Sequence, residues 1–256
     1  MKIAVSGKGG SGKTTISGTL SRVLAAKDYD VLAIDDDENP NLSLTVGIPR
    51  EKEVPPIPGD LLRRVELPDG KTELELVESV EEIINNYGVG APDGIQLLKM
   101  GEVDHAGSGC MCSAHSTARE VLSNIVEKRD EVTIMDMVAG VEHLGRGTTK
   151  DVDVLLVVVE PYYKSLETGR RTRDLAEELG IPEIKVVANK VRDDQDREAI
   201  EEFCENNDLE ITSIVPFDDS IRRADQQGTA PYDHDKDAPA VAAVQELADD
   251  LVSELA

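Results

Sequence analysis

The sequence is poor in cysteine and has no long apolar segment. Three cysteines among 256 residues are too few for the disulfide framework that is typical of small secreted domains. No apolar run approaches the roughly 20 residues that a membrane-spanning helix needs. Met1 leads directly into a short apolar segment without the pattern of a signal peptide. We therefore expect a cytoplasmic protein.

Basic residues are also scarce relative to acidic ones. Lys and Arg total 27 against 52 Asp and Glu, which gives a net charge of −25. A surface of this charge repels nucleic acids and anionic membranes, so we expect neither as a partner. The acidic excess is spread along the chain, and we interpret it as adaptation to a high-salt cytoplasm. An ordinary acidic protein with a partner-repelling face is the alternative interpretation.

The most informative segment that is present lies near the start of the chain. A glycine-rich loop follows the apolar run 2–6 and matches G-x-x-x-x-G-K-[ST] in full; it reads Gly7-Lys8-Gly9-Gly10-Ser11-Gly12-Lys13-Thr14-Thr15. Its glycines allow a tight turn whose backbone N–H groups face phosphate oxygens, and the following helix directs its positive end at the same anion. We expect Lys13 to reach the β and γ phosphates and Thr14 to hold Mg²⁺. The sequence therefore predicts a nucleoside triphosphate site.

Apolar runs and helical stripes alternate along the rest of the chain. They predict strands at 31–34, 95–100, 132–136, 154–159, 184–188 and 211–215, and helices at 12–26, 114–128, 165–179 and 238–255. We interpret 48–72, which holds five prolines, as an irregular surface insertion, and 73–86 as helical or mixed. The order of elements predicts one α/β domain over 1–256, with an irregular insertion near 48–93. Its sheet is expected to be doubly wound and mostly parallel, as in the three-layer sandwich of P-loop NTPases.

Acidic residues follow two of the predicted strands. Asp35, Asp36 and Asp37 come after the strand at 31–34, and Asp136 closes the strand at 132–136. The carboxyl ends of parallel strands form the ligand-binding edge of such a sheet. We therefore expect the Asp136 carboxylate to steady the Mg²⁺ shell. A solvated acidic loop is the alternative interpretation, mainly for Asp36.

Two of the cysteines, Cys110 and Cys112, precede the predicted helix 114–128. A helix that connects parallel strands starts at the ligand-binding edge, so the pair is expected beside the nucleotide, near a positive helix end that favours thiolates. One pair supplies two of the four ligands of a closed tetrahedral site, and a two-fold axis would bring four thiolates together. Two buried structural cysteines are the alternative. Cys204 lies on the apolar face of another predicted helix, and we expect it in the core.

The glycine-rich loop is similar to the deviant phosphate-binding loop of the nitrogenase-iron-protein, MinD and ParA superfamily of dimeric ATPases. In that superfamily the first lysine reaches the nucleotide of the partner subunit, which implies that Lys8 stabilises transition-state charge across a homodimer. A solvated loop lysine is the alternative. The resemblance also implies that Asp37 orients the attacking water and that Gly140 senses the γ-phosphate, although Glu38 replaces the family's proline after Asp37.

Two further segments resemble the base-contacting motifs of these ATPases. Asn189-Lys190 closes one predicted strand, and Pro216-Phe217-Asp218 follows the last one. Arg192 occupies the place where a guanine-specifying aspartate would stand, three residues after the asparagine. The resemblance therefore implies ATP and ADP as ligands, with base contacts from Asn189, Pro216 and Asp218.

The glycine-rich loop, the Cys-Met-Cys pair and the run Glu142-His143-Leu144-Gly145-Arg146 together resemble the CooC-type accessory ATPases that insert nickel into carbon monoxide dehydrogenase. The resemblance covers almost the whole chain. It implies that Cys110 and Cys112 bind Ni²⁺ or Zn²⁺ at a dimer interface, and that ATP drives dimerisation and metal delivery to a client metalloenzyme. A positioning ATPase like MinD or ParA and an iron–sulfur cluster carrier are the alternatives. The acidic segment 247–254 argues against a membrane anchor.

Overall fold

A central β-sheet organises the protein, whose computed structural model describes residues 1–37, 40–58, 61–66, 70, 72–100, 131–137 and 152–253. Eleven strands occur in these ranges: β1 (Lys2–Gly7), β2 (Asp30–Asp36), β3 (Pro56–Ile57), β4 (Leu62–Glu66), β5 (Thr72–Leu76), β6 (Val89–Gly90), β7 (Gln96–Met100), β8 (Glu131–Met137), β9 (Val154–Val159), β10 (Glu183–Val191) and β11 (Ile211–Pro216).

Nine of these strands form one sheet, in the order β11-β10-β9-β1-β8-β2-β7-β3, with β6 also paired to β7. Every pair along this order is parallel, and β6 runs antiparallel to β7. The prediction of a mostly parallel, doubly wound sheet is thereby confirmed. β1 lies between β8 and β9 at the centre of the sheet. The loop that follows β1 therefore meets the ends of both neighbouring strands.

Helices cover both faces of the sheet. The described helices are α1 (Lys13–Ala25), α2 (Leu42–Thr45), α3 (Val80–Tyr87), α4 (Tyr163–Glu178), α5 (Asp194–Asn206), α6 (Asp219–Gln227), α7 (Pro231–His234) and α8 (Pro239–Ser253). Successive side chains of β9 point to opposite faces. Val154, Leu156 and Val158 join a core that includes α1 and α8, whereas the alternate residues of β9 join a core that includes α4 and α5. Burial on both sides explains why β9 is a continuous apolar run.

The segment 48–93, predicted to be irregular, contains regular structure. β4 and β5 pair as an antiparallel two-stranded sheet separate from the central one. The prediction of a helical or mixed segment at 73–86 corresponds to β5 followed by α3. Ser79 caps α3 by accepting a hydrogen bond from the Glu82 N–H, and the Glu82 carboxylate accepts one from the Ser79 N–H in return. This reciprocal capping box starts the helix.

Cys204 lies in α5 and is 2% exposed, so its predicted place in the core is confirmed. Burial raises the pKa of its thiol to about 11, which keeps the sulfur protonated and unreactive. None of the helices in the described ranges has both the length and the low polarity that crossing a lipid bilayer requires.

Candidate nucleotide site

The glycine-rich loop leaves β1 and enters α1 through two backbone positions that only glycine fits. Gly7 has a φ of 149°, and a Cβ there would lie 2.3 Å from the Val158 carbonyl oxygen on β9. Gly12 has a φ of 98°, and a Cβ there would lie 2.2 Å from the Asn189 side-chain nitrogen. The Ser11 N–H donates to the Lys8 carbonyl at 3.0 Å and closes the turn between them. The resulting concave backbone is the geometry that cradles phosphate.

α1 begins at Lys13, and its first turn, which is described in full, contains no acidic side chain. The helix end therefore presents unpaired N–H groups and a partial positive charge to the loop. Lys13 is only 6% exposed. Burial lowers the pKa of its ammonium group, and the nearby carboxylates of Asp136 and Asp37 partly oppose that shift. Lys13 is thus a buried cation at the place where the phosphates are expected.

Asp136 stands at the end of β8, directly beside the loop, and is 1% exposed. The Ser17 hydroxyl of α1 donates to its Oδ1 at 3.1 Å. Its Oδ2 is buried and has no hydrogen-bond partner among the described residues. Burial raises the pKa of Asp136 to about 7, against the opposite effect of the neighbouring Thr14 hydroxyl.

The Asp136 carboxylate and the Thr14 hydroxyl fit a magnesium ion. A buried carboxylate oxygen without a donor is costly unless a cation or its water shell occupies the space beside it. Thr14 supplies a hydroxyl next to the same carboxylate. Within the described ranges, no group of three or more His, Cys, Asp or Glu side chains is arranged to hold a metal by itself. Mg²⁺ suits such a site, because it usually takes few protein ligands and completes its shell with water and substrate phosphates.

The acidic loop after β2 folds around Asp35. Its two carboxylate oxygens accept hydrogen bonds from the backbone N–H groups of Leu42 at 2.9 Å and Asp37 at 3.3 Å. Burial raises the pKa of Asp35 to about 6, although these two hydrogen bonds act in the opposite direction. Asp37 is partly buried and close enough to Lys13 to affect its pKa. The structure therefore brings Asp37, Lys13 and Asp136 to one edge of the sheet.

A cluster of polar side chains at the ends of β9 and β10 holds the carbonyl side of the loop. This strand-end cluster consists of Glu160, Tyr162, Asn189 and Lys190. Asn189 donates from its side chain to the Ser11 carbonyl at 2.7 Å, and Lys190 donates to the Gly10 carbonyl. Lys190 also pairs with Glu160 at 2.8 Å. Because the Gly10 and Ser11 carbonyls accept these hydrogen bonds, the opposite side of the loop can present N–H groups to a ligand.

The Lys8 side chain contacts the strand-end cluster. Its Nζ lies 5.5 Å from the centre of the Tyr162 ring, within the range of a cation–π contact. The Tyr162 hydroxyl donates to the Glu160 carboxylate. That hydrogen bond raises the pKa of Tyr162 to about 12, so the phenol keeps its proton. Sequence reasoning missed Glu160 and Tyr162, although their position directly after a buried strand was a usable signal.

A pocket of about 190 Å³ adjoins the loop on the side of β11. Its wall includes apolar side chains from several elements, among them Pro216, Phe217, Ile221 and Val244. Asn189 and Gly12 line the end nearest the phosphate loop. A mostly apolar pocket that continues from a phosphate loop fits a nucleobase.

Asp218 lines this pocket but uses its carboxylate to start α6. Its Oδ1 accepts a hydrogen bond from the Ser220 N–H at 2.8 Å, and its Oδ2 accepts one from the Ala240 N–H at 3.2 Å. Burial alone would raise the pKa of Asp218, but hydrogen bonding by Ser220 and Ala240 and the nearby charge of Arg223 outweigh it and lower the pKa. The Asp218 carboxylate therefore positions the pocket wall, and the contact of Asp218 with a base remains a prediction.

Three predicted site residues, Gly140, Cys110 and Cys112, lie outside the described residues. Their roles remain predictions.

Comparison with known proteins identifies the class of site. Residues 2–232 match the CobQ/CobB/MinD/ParA nucleotide binding domain. The chain is 40% identical over 240 residues to the carbon monoxide dehydrogenase accessory protein CooC of Rhodospirillum rubrum, across 91% of this chain and 90% of that protein. It is 37% identical over 238 residues to an uncharacterized ATP-binding protein of Methanocaldococcus jannaschii, across 89% of this chain and 90% of the relative.

The fold is also similar to solved structures. MinD of Pyrococcus horikoshii, in complex with Mg-ADP, superposes with a TM-score of 0.73 at 21% identity, and the match covers 100% of this chain and 98% of that one. MinD of Aquifex aeolicus superposes with a TM-score of 0.71, also at 21% identity, across 98% and 96% of the two chains.

Proposed function

The chain belongs to the CobQ/CobB/MinD/ParA nucleotide-binding family of ATPases, and we propose that it acts as an ATP-driven switch that inserts a metal into a client metalloenzyme. The observation that carries this proposal is the 40% identity to a carbon monoxide dehydrogenase accessory protein over nine-tenths of both chains. The Cys110–Cys112 pair supports it, because thiolates bind nickel and zinc well. The cargo is Ni²⁺ or Zn²⁺, and the client is a metalloenzyme.

Groups of the kinds that ATP hydrolysis needs lie among the described residues and support this proposal. The loop N–H groups and Lys13 bind the β and γ phosphates. Thr14 and Asp136 would hold Mg²⁺, which would supply charge neutralisation at the phosphate oxygens. Asp37 orients a water whose oxygen attacks the γ-phosphorus, while the bond to the β–γ bridging oxygen breaks. The products are ADP and inorganic phosphate.

The switch acts through a homodimer. We propose that ATP closes two subunits face to face, with Lys8 of each reaching the nucleotide of the other. The same closure brings two Cys110–Cys112 pairs together, so that four thiolates surround one metal ion. Hydrolysis then releases the contacts around Gly140 and opens the metal site. The base lies against Pro216 and Asn189, in the apolar pocket beside the loop.

Metal analysis of cysteine variants tests this proposal. We expect wild-type protein, loaded anaerobically with nickel and a non-hydrolysable ATP analogue, to hold one metal per two chains. Cys110→Ala and Cys112→Ala are expected to lose that metal, because each leaves too few thiolates. Cys204→Ala is the matched control, since this buried thiol lies in the core. Equal metal content in all four proteins would contradict the proposal, and a visible absorption band of an iron–sulfur cluster would support a cluster carrier in its place.

We also propose that the protein is adapted to high salt. Its net charge of −25 produces self-repulsion that concentrated cations screen. We expect the thermal unfolding midpoint to rise between low and molar KCl. An unchanged midpoint would favour an ordinary acidic protein.

A further inference from the structure

We propose that Tyr162 is a positioning residue that holds Lys8 on its own subunit until a nucleotide bound to the second subunit competes for it. This inference rests on the proposed function in one respect, namely that Lys8 acts across the dimer. The hold itself is a property of the single chain. It would set how readily ATP-loaded subunits join.

The contact between the two side chains is direct. The Lys8 ammonium group lies 5.5 Å from the centre of the Tyr162 ring, and cations within about 6 Å of an aromatic face are attracted by its quadrupole. Tyr162 is 42% exposed at the start of α4. Both groups therefore stand at the edge of the sheet that carries the phosphate loop, where a second subunit would approach.

A hydrogen bond to Glu160 anchors the Tyr162 ring. The Tyr162 hydroxyl donates to Glu160, which is 8% exposed and also pairs with Lys190 at 2.8 Å. Lys190 in turn donates to the Gly10 carbonyl of the phosphate loop. Because the buried carboxylate has two partners, the phenol is fixed relative to the loop. The Tyr162 ring therefore has a fixed position in which it can contact the Lys8 ammonium group.

The cation–π contact between Lys8 and Tyr162 is weak enough to be broken when a stronger ligand for Lys8 approaches. A cation–π contact at an exposed site changes an equilibrium by about twofold to fivefold. A triphosphate attracts an ammonium group far more strongly, particularly once closure excludes water. Lys8 is therefore retained in the free subunit and released when a bound triphosphate comes within reach. Closure of a symmetric dimer breaks two such contacts, one in each chain.

The first test measures Lys8 in the nucleotide-free protein. Pulse labelling of lysine amines, read by mass spectrometry with exposed Lys164 as internal reference, reports how accessible Lys8 is. Tyr162→Ala is expected to increase the Lys8 labelling rate about twofold to fivefold, because the contact is lost. Tyr162→Phe keeps the ring but loses its anchor, so its labelling rate should lie between those of wild type and Tyr162→Ala.

Tyr163→Ala is the matched control for both tests. Tyr163 neighbours Tyr162 in the chain but packs edge-on against Phe203, with the ring centres 6.2 Å apart. It is 70% exposed, so its removal is expected to preserve the fold. We expect Tyr163→Ala to label at Lys8 as the wild type does. The side chain of Tyr162 does not cap α4, so Tyr162→Ala should also fold.

The second test measures dimerisation with a non-hydrolysable ATP analogue by sedimentation. Because two contacts no longer need to break, Tyr162→Ala is expected to lower the dimer dissociation constant about fivefold to thirtyfold. A residue with only a structural role would weaken the dimer instead. An unchanged or raised dissociation constant in Tyr162→Ala, with wild type dimerising normally, would overturn the inference.

The two tests separate this inference from the proposed function. Unchanged Lys8 labelling in Tyr162→Ala would overturn the hold whatever the dimer does. A wild-type protein that stays monomeric with the analogue would contradict the proposed switch, and with it the release of Lys8 by the second subunit. Faster labelling together with a tighter dimer supports both.

Discussion

The phosphate end and the base end of the proposed nucleotide site consist of different kinds of residue. The phosphate end contains buried charged groups, with Lys13 at 6% and Asp136 at 1% exposure, and glycines in left-handed backbone conformations. The base end, where we propose that the nucleobase binds, is an apolar pocket bordered by Phe217, which is 45% exposed. The phosphate end depends on buried charges, which are costly to desolvate, and on glycine backbone conformations that other residues adopt only with strain. The base end depends on ordinary apolar contact.

This difference indicates where the protein tolerates change. A side chain that holds developing charge in a water-poor site has no equivalent substitute. A half-exposed apolar wall can lose one member and still contact a flat base. Substitutions of equal size should therefore have large effects at the phosphate end and small ones at the base end.

Replacing Lys13 is expected to have the largest effect. Lys13→Ala removes the buried cation that we propose contacts the transferred phosphate, and loss of one preorganised charge donor typically reduces kcat about 100-fold to 1000-fold. Steady-state ATPase assays at saturating ATP measure this loss of kcat. Lys164→Ala, an exposed lysine, is the control and should retain wild-type kcat. A loss below tenfold in Lys13→Ala would break the comparison.

Two glycines of the loop provide a graded test. A Cβ at Gly12 would meet the Asn189 side chain, whereas a Cβ at Gly10, where φ is 82°, would meet nothing within 4 Å. Gly10→Ala therefore pays only for backbone strain, about 1–2 kcal/mol of the free energy of unfolding. Gly12→Ala adds a collision and disturbs the hydrogen bond to Ser11, so it should cost more in both stability and ATP affinity. Denaturant unfolding and nucleotide titration measure the pair. Equal losses would show that the approach of Asn189 is unimportant.

The buried carboxylate Asp136 makes stability depend on pH. Its pKa is raised by burial to about 7, far above that of a free carboxyl, so the folded nucleotide-free protein retains a proton that the unfolded chain releases. Its stability therefore falls as pH rises from about 4 to about 7. We expect Asp136→Asn to be more stable than wild type at pH 8, to have a smaller advantage at pH 5, and to bind Mg-ATP poorly. Thermal unfolding at both pH values checks this, and a variant that is less stable at pH 8 would contradict it.

The smallest effect is expected at the base end. Phe217→Ala removes one wall of the pocket while Pro216, Ile221 and Val244 remain. We expect KM for ATP to rise about fivefold, the value of one aromatic contact, with kcat unchanged. Phe203→Ala, which alters the contact with Tyr163 away from the pocket, should keep the wild-type KM. A change in kcat at Phe217→Ala would mean that the two ends are not separate.

The phosphate end could be predicted because its signal is local. Gly7 to Thr15 is a contiguous motif between a strand and a helix, and Asp136 closes a recognisable strand. The aspartates after β2 were likewise marked by their position. What each residue contacts was harder to foresee, as Asp218 shows, since its carboxylate caps a helix.

The strand-end cluster could not be predicted with the same methods. Glu160 and Lys190 lie 150 or more residues from Gly10 in the loop they support, and they meet the loop only because β9 and β10 are neighbours on one side of β1. The order of strands in the sheet decides that meeting. The β4–β5 hairpin was missed for a different reason: the adjacent charges of Arg63 and Arg64 break the alternation of apolar and polar residues in β4, so the alternating run in β5 had no recognisable partner.

The central claim is that ATP closure and metal binding are coupled, and one measurement addresses it directly. The nickel dissociation constant of the wild-type protein should be determined anaerobically with a non-hydrolysable ATP analogue and, separately, with ADP. Coupling between two sites usually changes affinity about 5-fold to 150-fold, so we expect nickel to bind at least tenfold more tightly, about 1.4 kcal/mol, with the analogue. Equal nickel affinity in the two nucleotide states would contradict the account.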